Sequence, residues 1–231
     1  MDDVTHFLLI ASVWVIPVLL AVTLHEAAHG WAASKLGDDT ALRQGRVTFN
    51  PLKHIDPFGT VLLPGMLLLA SGGQMMFGFA KPVPVNFWNL NNPRRDMVLV
   101  ALAGPVTNLI LAFTAAAIFH LDFLIPEAIE PWLGQNLKNA MLINAVLCVF
   151  NMLPLPPLDG GRVAVGLLPD ALAIPLARLE KAGLFIILAM LFLLPWIGDK
   201  IGINLNVFDW LVWKPAVWVI ETIIQVLGLA G

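Results

Sequence analysis

A single cysteine, Cys148, stands in this chain of 231 residues. No internal disulfide can form, and the redox compartment is not legible from cysteine usage. Charge is scarce too. Only 13% of residues are charged against 58% apolar, about half the charge usual for a soluble domain. The net charge of −3 is too small to imply a nucleic-acid partner. The chain opens "MDD" and lacks a basic n-region, and its first apolar run continues into a polar motif. That run is therefore not expected to be a cleaved signal peptide. Internal repeats and low-complexity linkers are absent as well.

What the chain has is apolar length. Residues 7–24, 97–121, 139–158 and 184–198 carry no formal charge, and mean hydropathy is +0.82. A span needs about 20 mostly apolar residues. The expected architecture is all-α: a polytopic membrane protein with a bundle of about four to six transmembrane helices in a lipid bilayer. It is read as one integral-membrane domain over residues 1–231, with a catalytic core at about 5–162 and C-terminal helices at 170–231.

Periodicity and breakers place helix 1 at residues 5–36, capped by Gly37. Helix 2 covers 94–121. Helix 3 covers 137–153, stopped by Pro154, Pro156 and Pro157. Helix 4 covers 176–194. The polar stretch 38–57 contains "GRVTFN", which alternates enough for a short β element with Val47 and Phe49 on one face. Residues 58–79 are apolar but interrupted by Pro64-Gly65 and Ser71-Gly72-Gly73. Residues 122–135 form an acidic loop. Trp210, Trp213 and Trp218 give the tail an aromatic-belt composition.

The most informative stretch is "HEAAH", residues 25–29, inside an apolar helix. His25 and His29 are four residues apart and project from one helix face. That spacing lets two imidazoles hold one Zn²⁺. Glu26 is placed to take a proton from water rather than to ligate. Each ionisable group in a membrane helix costs a few kcal/mol, so chance explains the pattern poorly. Such a site needs a third protein ligand. The metzincin spacing would put a histidine where Lys35 stands, which excludes that class. His6, His54 and His120 read as loop or interface histidines. Asp159 follows a proline-broken helix end and precedes two glycines. An acid at such a break is a functional-site candidate.

Three ordered motifs, "HEAAH", "AGPVTN" (103–108) and "FNMLPLPPLDGGR" (150–162), resemble the site-2 protease family of intramembrane zinc metalloproteases. "NPLKHIDPFGT" (50–60) resembles its compact prokaryotic branch, without an appended PDZ or CBS domain. The resemblance implies that His25, His29 and Asp159 ligate one zinc and that Glu26 is the catalytic base. It implies that Asn151 holds the scissile carbonyl or its oxyanion. It also implies cleavage of single-span transmembrane protein substrates.

If Asp159 shares a zinc with His25 and His29, the C-terminal ends of helices 1 and 3 lie at one depth. Those helices are then parallel, with helix 2 as the single crossing between them. Residues 58–79 must enter and leave on one side as a re-entrant hairpin. Ten of the lysines and arginines then fall on one side and the acidic loop on the other. By the positive-inside rule the active site faces the cytoplasm of a prokaryotic cell membrane. The competing readings are a metal-binding transporter or pseudo-protease adaptor, which would need no base at Glu26, and a prenyl-protein protease, which would need a second glutamate-bearing helix.

Overall fold

The structure is a computed structural model that describes residues 3–70, 78–121 and 125–228. Among the described residues ten α-helices make up the frame: α1 (Asp3–Lys35), α2 (Thr40–Arg43), α3 (Leu63–Ala70), α4 (Pro93–Phe119), α5 (Glu130–Asn151), α6 (Asp159–Leu167), α7 (Asp170–Arg178), α8 (Glu180–Leu188), α9 (Leu194–Ile201) and α10 (Lys214–Val226). α4 is central and packs on α1, α5 and α6, while α5 also touches α1 and α10. Among the described residues three helical stretches are long and apolar enough to cross a membrane: Leu8–Lys35, Pro93–Phe119 and Glu180–Ile201. α5 is not one of them; it starts earlier than expected, at Glu130, and carries Lys138 and four asparagines.

Polarity is arranged inside out. Leu8, Leu9, Ile10, Ile110, Phe185 and Trp218 are exposed, whereas Ala21, Ala33, Ala112, Ala145, Asn108, Asn139 and Asn144 are buried. Small residues let helix backbones approach, and buried amides bond between helices. Those bonds set helix direction. Trp132 Nε1 donates to Ser12 Oγ at 2.9 Å, and Asn139 Nδ2 to the Val13 carbonyl at 2.8 Å. Further along, Asn108 links Asn144 to the Ala21 carbonyl. Residue numbers rise together on α1 and α5, so the two helices are parallel, as sharing one site requires.

α1 ends at Gly37 (φ +110°), where a Cβ would lie 2.9 Å from the Asn89 carbonyl oxygen. Asp38 N–H returns to the Ala33 carbonyl at 2.9 Å, a Schellman-type closure. The buried Asp38 carboxylate accepts from Thr40, from Asn89 Nδ2 and from Asn86 N–H. Burial alone would push this carboxyl up, but those donors outweigh it and hold it below the usual range. Asp38 thereby ties the end of α1 to the segment that leads back over the site.

The expected short β element does not form. Among the described residues there is no strand, and 47–49 are bends. The neighbouring segment is held instead by the Arg46 side chain, which donates to the Lys81 and Pro82 carbonyls. Pro64 does not break its helix either. The chain is helical from Pro57 through Ala70, with π-helical geometry over Pro57–Leu62. The same device recurs at Ala189–Leu193 before Pro195 and at Asp209–Trp213 before Pro215. A π turn ahead of each proline absorbs the missing N–H and the ring's clash with the preceding turn. Hence the fourth predicted helix continues past residue 194 to Ile201, and the tail is helical up to Val226.

Ser71-Gly72-Gly73 and Asp122 lie outside the described residues. The two ends of the 57–79 segment do meet. Phe79 N–H donates to the Gly59 carbonyl at 3.0 Å, and Thr60 Oγ1 to the Phe79 carbonyl at 2.9 Å. The described ends of the segment thus lie side by side.

Candidate metal centre

His25 and His29 point from α1 into α4 at Gly104. A Cβ there would sit 2.5 Å from His25 Cε1 and from His29 Nε2. The "AGP" glycine is thus the notch that lets two imidazoles reach one point. Each ring is oriented from behind. His25 Nδ1 lies 2.5 Å from Asn108 Oδ1, and His29 Nδ1 lies 2.7 Å from the Val100 carbonyl. Asn108 uses its own Nδ2 to donate to Asn144 Oδ1 and the Ala21 carbonyl, which fixes its oxygen toward His25. Both Nδ1 atoms therefore carry a proton, and in the neutral imidazoles a metal site requires, both Nε2 atoms present lone pairs.

Those lone pairs converge. The two Nε2 atoms are 3.1 Å apart, and Asp159 Oδ2 is 3.2 Å from one and 3.3 Å from the other. All three residues are buried, and Asp159 Oδ2 has no hydrogen-bond partner among the described residues. Three acceptors facing one another repel unless a cation sits among them. Ligands about 2.0–2.1 Å from a tetrahedral Zn²⁺ would be about 3.3 Å apart. The observed spacing and the two-histidine, one-carboxylate donor set fit a catalytic zinc, which keeps its fourth position open.

Asp159 reaches this point as the first residue of α6 because the glycines after it allow a tight approach. A Cβ on Gly160 would meet the Met152 carbonyl oxygen at 2.2 Å, and one on Gly161 the Pro156 nitrogen at 2.2 Å. His54 is elsewhere, with Nε2 3.2 Å from the Thr48 carbonyl. His120 caps the far end of α4. The one metal-capable cluster among the described residues is His25, His29 and Asp159.

A cavity of about 100 Å³ opens on this cluster, lined by Glu26, Asn151, Val83, Val85, Ala101 and Arg162 among others. Glu26 Oε2 accepts from Val83 N–H at 2.7 Å. Asn151 donates from Nδ2 back to the Leu147 carbonyl at 3.0 Å. Arg162 stacks over Phe87 and stands 3.6 Å from Glu180.

Gly104 and Asn108 both belong to the "AGPVTN" motif that carries the family resemblance. The i, i+4 spacing of those two within "AGPVTN" was the available signal. Asn108→Ala is expected to weaken zinc about 10–100-fold, the usual loss when a ligand's orienting partner goes. Competition with a chromophoric chelator checks it, and parental affinity would refute the orienting role.

A model of the family described as Peptidase family M50 matches residues 13–130 and 127–194. Two similar curated proteins carry the name "Putative zinc metalloprotease". YwhC of Bacillus subtilis (strain 168) is 43% identical over 78% of this chain and 80% of its own length. Rip2 of Mycobacterium tuberculosis (strain ATCC 25618 / H37Rv) is 32% identical over 88% of this chain and 74% of its own. No solved structure matches the chain.

Proposed function

This chain belongs to peptidase family M50, the site-2 protease family, and on that premise we propose that it is an intramembrane zinc endopeptidase acting on single-span membrane proteins. The observation that carries the reading is the convergence of three ligand-capable atoms, 3.1–3.3 Å apart, on a cavity that the Glu26 carboxylate also lines.

His25, His29 and Asp159 would hold the metal. Zinc bound there would supply Lewis acidity, polarising a peptide carbonyl and making water acidic enough to lose a proton near neutral pH. Glu26 accepts that proton as the water oxygen adds to the carbonyl carbon. It then returns the proton to the departing nitrogen as the C–N bond breaks. Asn151, on the wall of the same cavity, offers an amide N–H to the carbonyl oxygen as negative charge develops there. Val100, Asn108 and Gly104 keep the imidazoles aimed. A transporter or adaptor would have no use for Glu26 beside the ligands, which favours hydrolysis. Co-expression with candidate single-span proteins tests the reading. Fragments should appear with the parent chain and not with a Glu26→Gln chain, and no cleavage of any candidate would count against it.

The site lies toward the cytoplasm in this reading. On this topology Lys35, Arg43, Arg46, Lys53, Lys81, Arg94, Arg95, Arg162, Arg178 and Lys181 fall on the side that bears it and Glu127 and Glu130 on the other, which by the positive-inside rule supports a cytoplasmic site. The Asn91 N–H donates to the Leu36 carbonyl at 2.9 Å, which keeps these two segments together. On a Cys148→Ser background, single cysteines at Ser34 and Asn91 should label from the cytoplasmic face and one at Glu127 from the opposite face. Labelling of Ser34 and Asn91 from opposite faces would undo this topology.

A further inference from the structure

Arg46 is buried, 7% exposed, and has no carboxylate within ion-pair distance among the described residues. A buried guanidinium without a counter-ion is costly unless its hydrogen bonds accomplish something. Its Nη2 donates to the Lys81 carbonyl at 2.8 Å and reaches the Pro82 carbonyl at 3.3 Å. The next residue, Val83, gives its N–H to Glu26 Oε2 at 2.7 Å. Prolines stand on either side of Val83, at 82 and 84. They stiffen the segment and remove both neighbouring N–H groups, so Val83 N–H is the single donor in that triplet. Gly30, one turn after Glu26, has no side chain, and a Cβ there would meet Val47 and Val83 at 2.9 and 3.0 Å. That gap lets the segment lie close enough for the contact.

We propose that Arg46 is a positioning residue for Glu26, acting through the backbone of residues 81–83. This rests on the reading of Glu26 as the base. The guanidinium holds two consecutive carbonyls, which fixes where the following N–H points. That N–H in turn holds the Glu26 carboxylate at one place beside the three ligand atoms. Arg46 bonds none of the three ligand candidates and does not itself line the cavity; it reaches the wall from behind, at Pro82. Its loss should misplace the base without emptying the site.

The test uses the full-length zinc-loaded chain in liposomes, a single-span reporter that the parent cleaves, and backbone hydrogen exchange of residues 81–85. For Arg46→Gln, kcat should fall about 10–100-fold, the scale of a misplacement near 1 Å. KM and zinc content should stay within about twofold of the parent, and the Val83 amide should exchange faster. Arg46→Lys, whose ammonium can reach a carbonyl without the planar fork, should recover part of kcat and of the amide protection. It carries the test alone where Arg46→Gln does not fold. Parental kcat in whichever variant folds would overturn the proposal, and so would loss of zinc in step with kcat. Glu26→Gln run alongside separates the two readings. Turnover by that variant sinks the base assignment itself, whereas a dead Glu26→Gln beside an unimpaired Arg46 variant overturns the positioning role alone.

Discussion

Asp159→Ala is expected to purify without zinc and without activity, while His54→Ala keeps about one zinc per chain. Asp159 Oδ2 is the third corner of a triangle whose sides are 3.1, 3.2 and 3.3 Å. Removing it leaves two neutral imidazoles, fewer than the three protein ligands of catalytic zinc sites. It also removes the negative charge that compensates a buried dication. His54 is equally buried, yet its ring serves the Thr48 carbonyl. Metal analysis of both purified variants decides the matter. Zinc lost from His54→Ala and kept by Asp159→Ala would reverse the ligand assignment.

Glu26→Gln has the opposite signature, with zinc retained and cleavage reduced roughly 10²–10⁴-fold, the range for loss of general acid–base catalysis. Gln keeps an oxygen that can accept from Val83 N–H, so the local packing survives. What goes is the ability to take a proton at neutral pH. Zinc content and turnover measured on one preparation separate the two effects. Substantial turnover in the variant would remove Glu26 from the mechanism.

The two candidate ligand histidines were legible because helical period fixes an i, i+4 pair on one face whatever surrounds it. The cap at Gly37 was legible for a similar local reason, a glycine where the backbone turns left-handed. The link from Asp159 to those histidines came through a family resemblance, since no local rule brings residues so distant in the chain together. Prolines misled. Pro64 reads as a break and helix 4 was expected to end at residue 194, ahead of Pro195, but a π turn before each proline lets the helix continue, and nothing in a residue's identity announces that turn. "GRVTFN" misled in another way. Its alternation is real, but residues 47–49 form bends, and Arg46 within it turns its side chain onto the Lys81 carbonyl. Gly104 and Gly30 were invisible as site residues because their contribution is the absence of a side chain, which only the neighbouring helices reveal.

The central claim is that a single zinc held by His25, His29 and Asp159 hydrolyses a peptide bond inside a membrane span. The most direct measurement strips the purified parent chain with a chelator and reconstitutes it in liposomes with a single-span reporter. Zn²⁺ is then titrated back while fragments are read by mass spectrometry. Cleavage should be absent in the stripped chain, rise to its plateau at about one zinc per chain, and fall at a bond within the reporter's apolar span. Cleavage that persists without metal, or a fully zinc-loaded chain that leaves every span intact, would contradict the account.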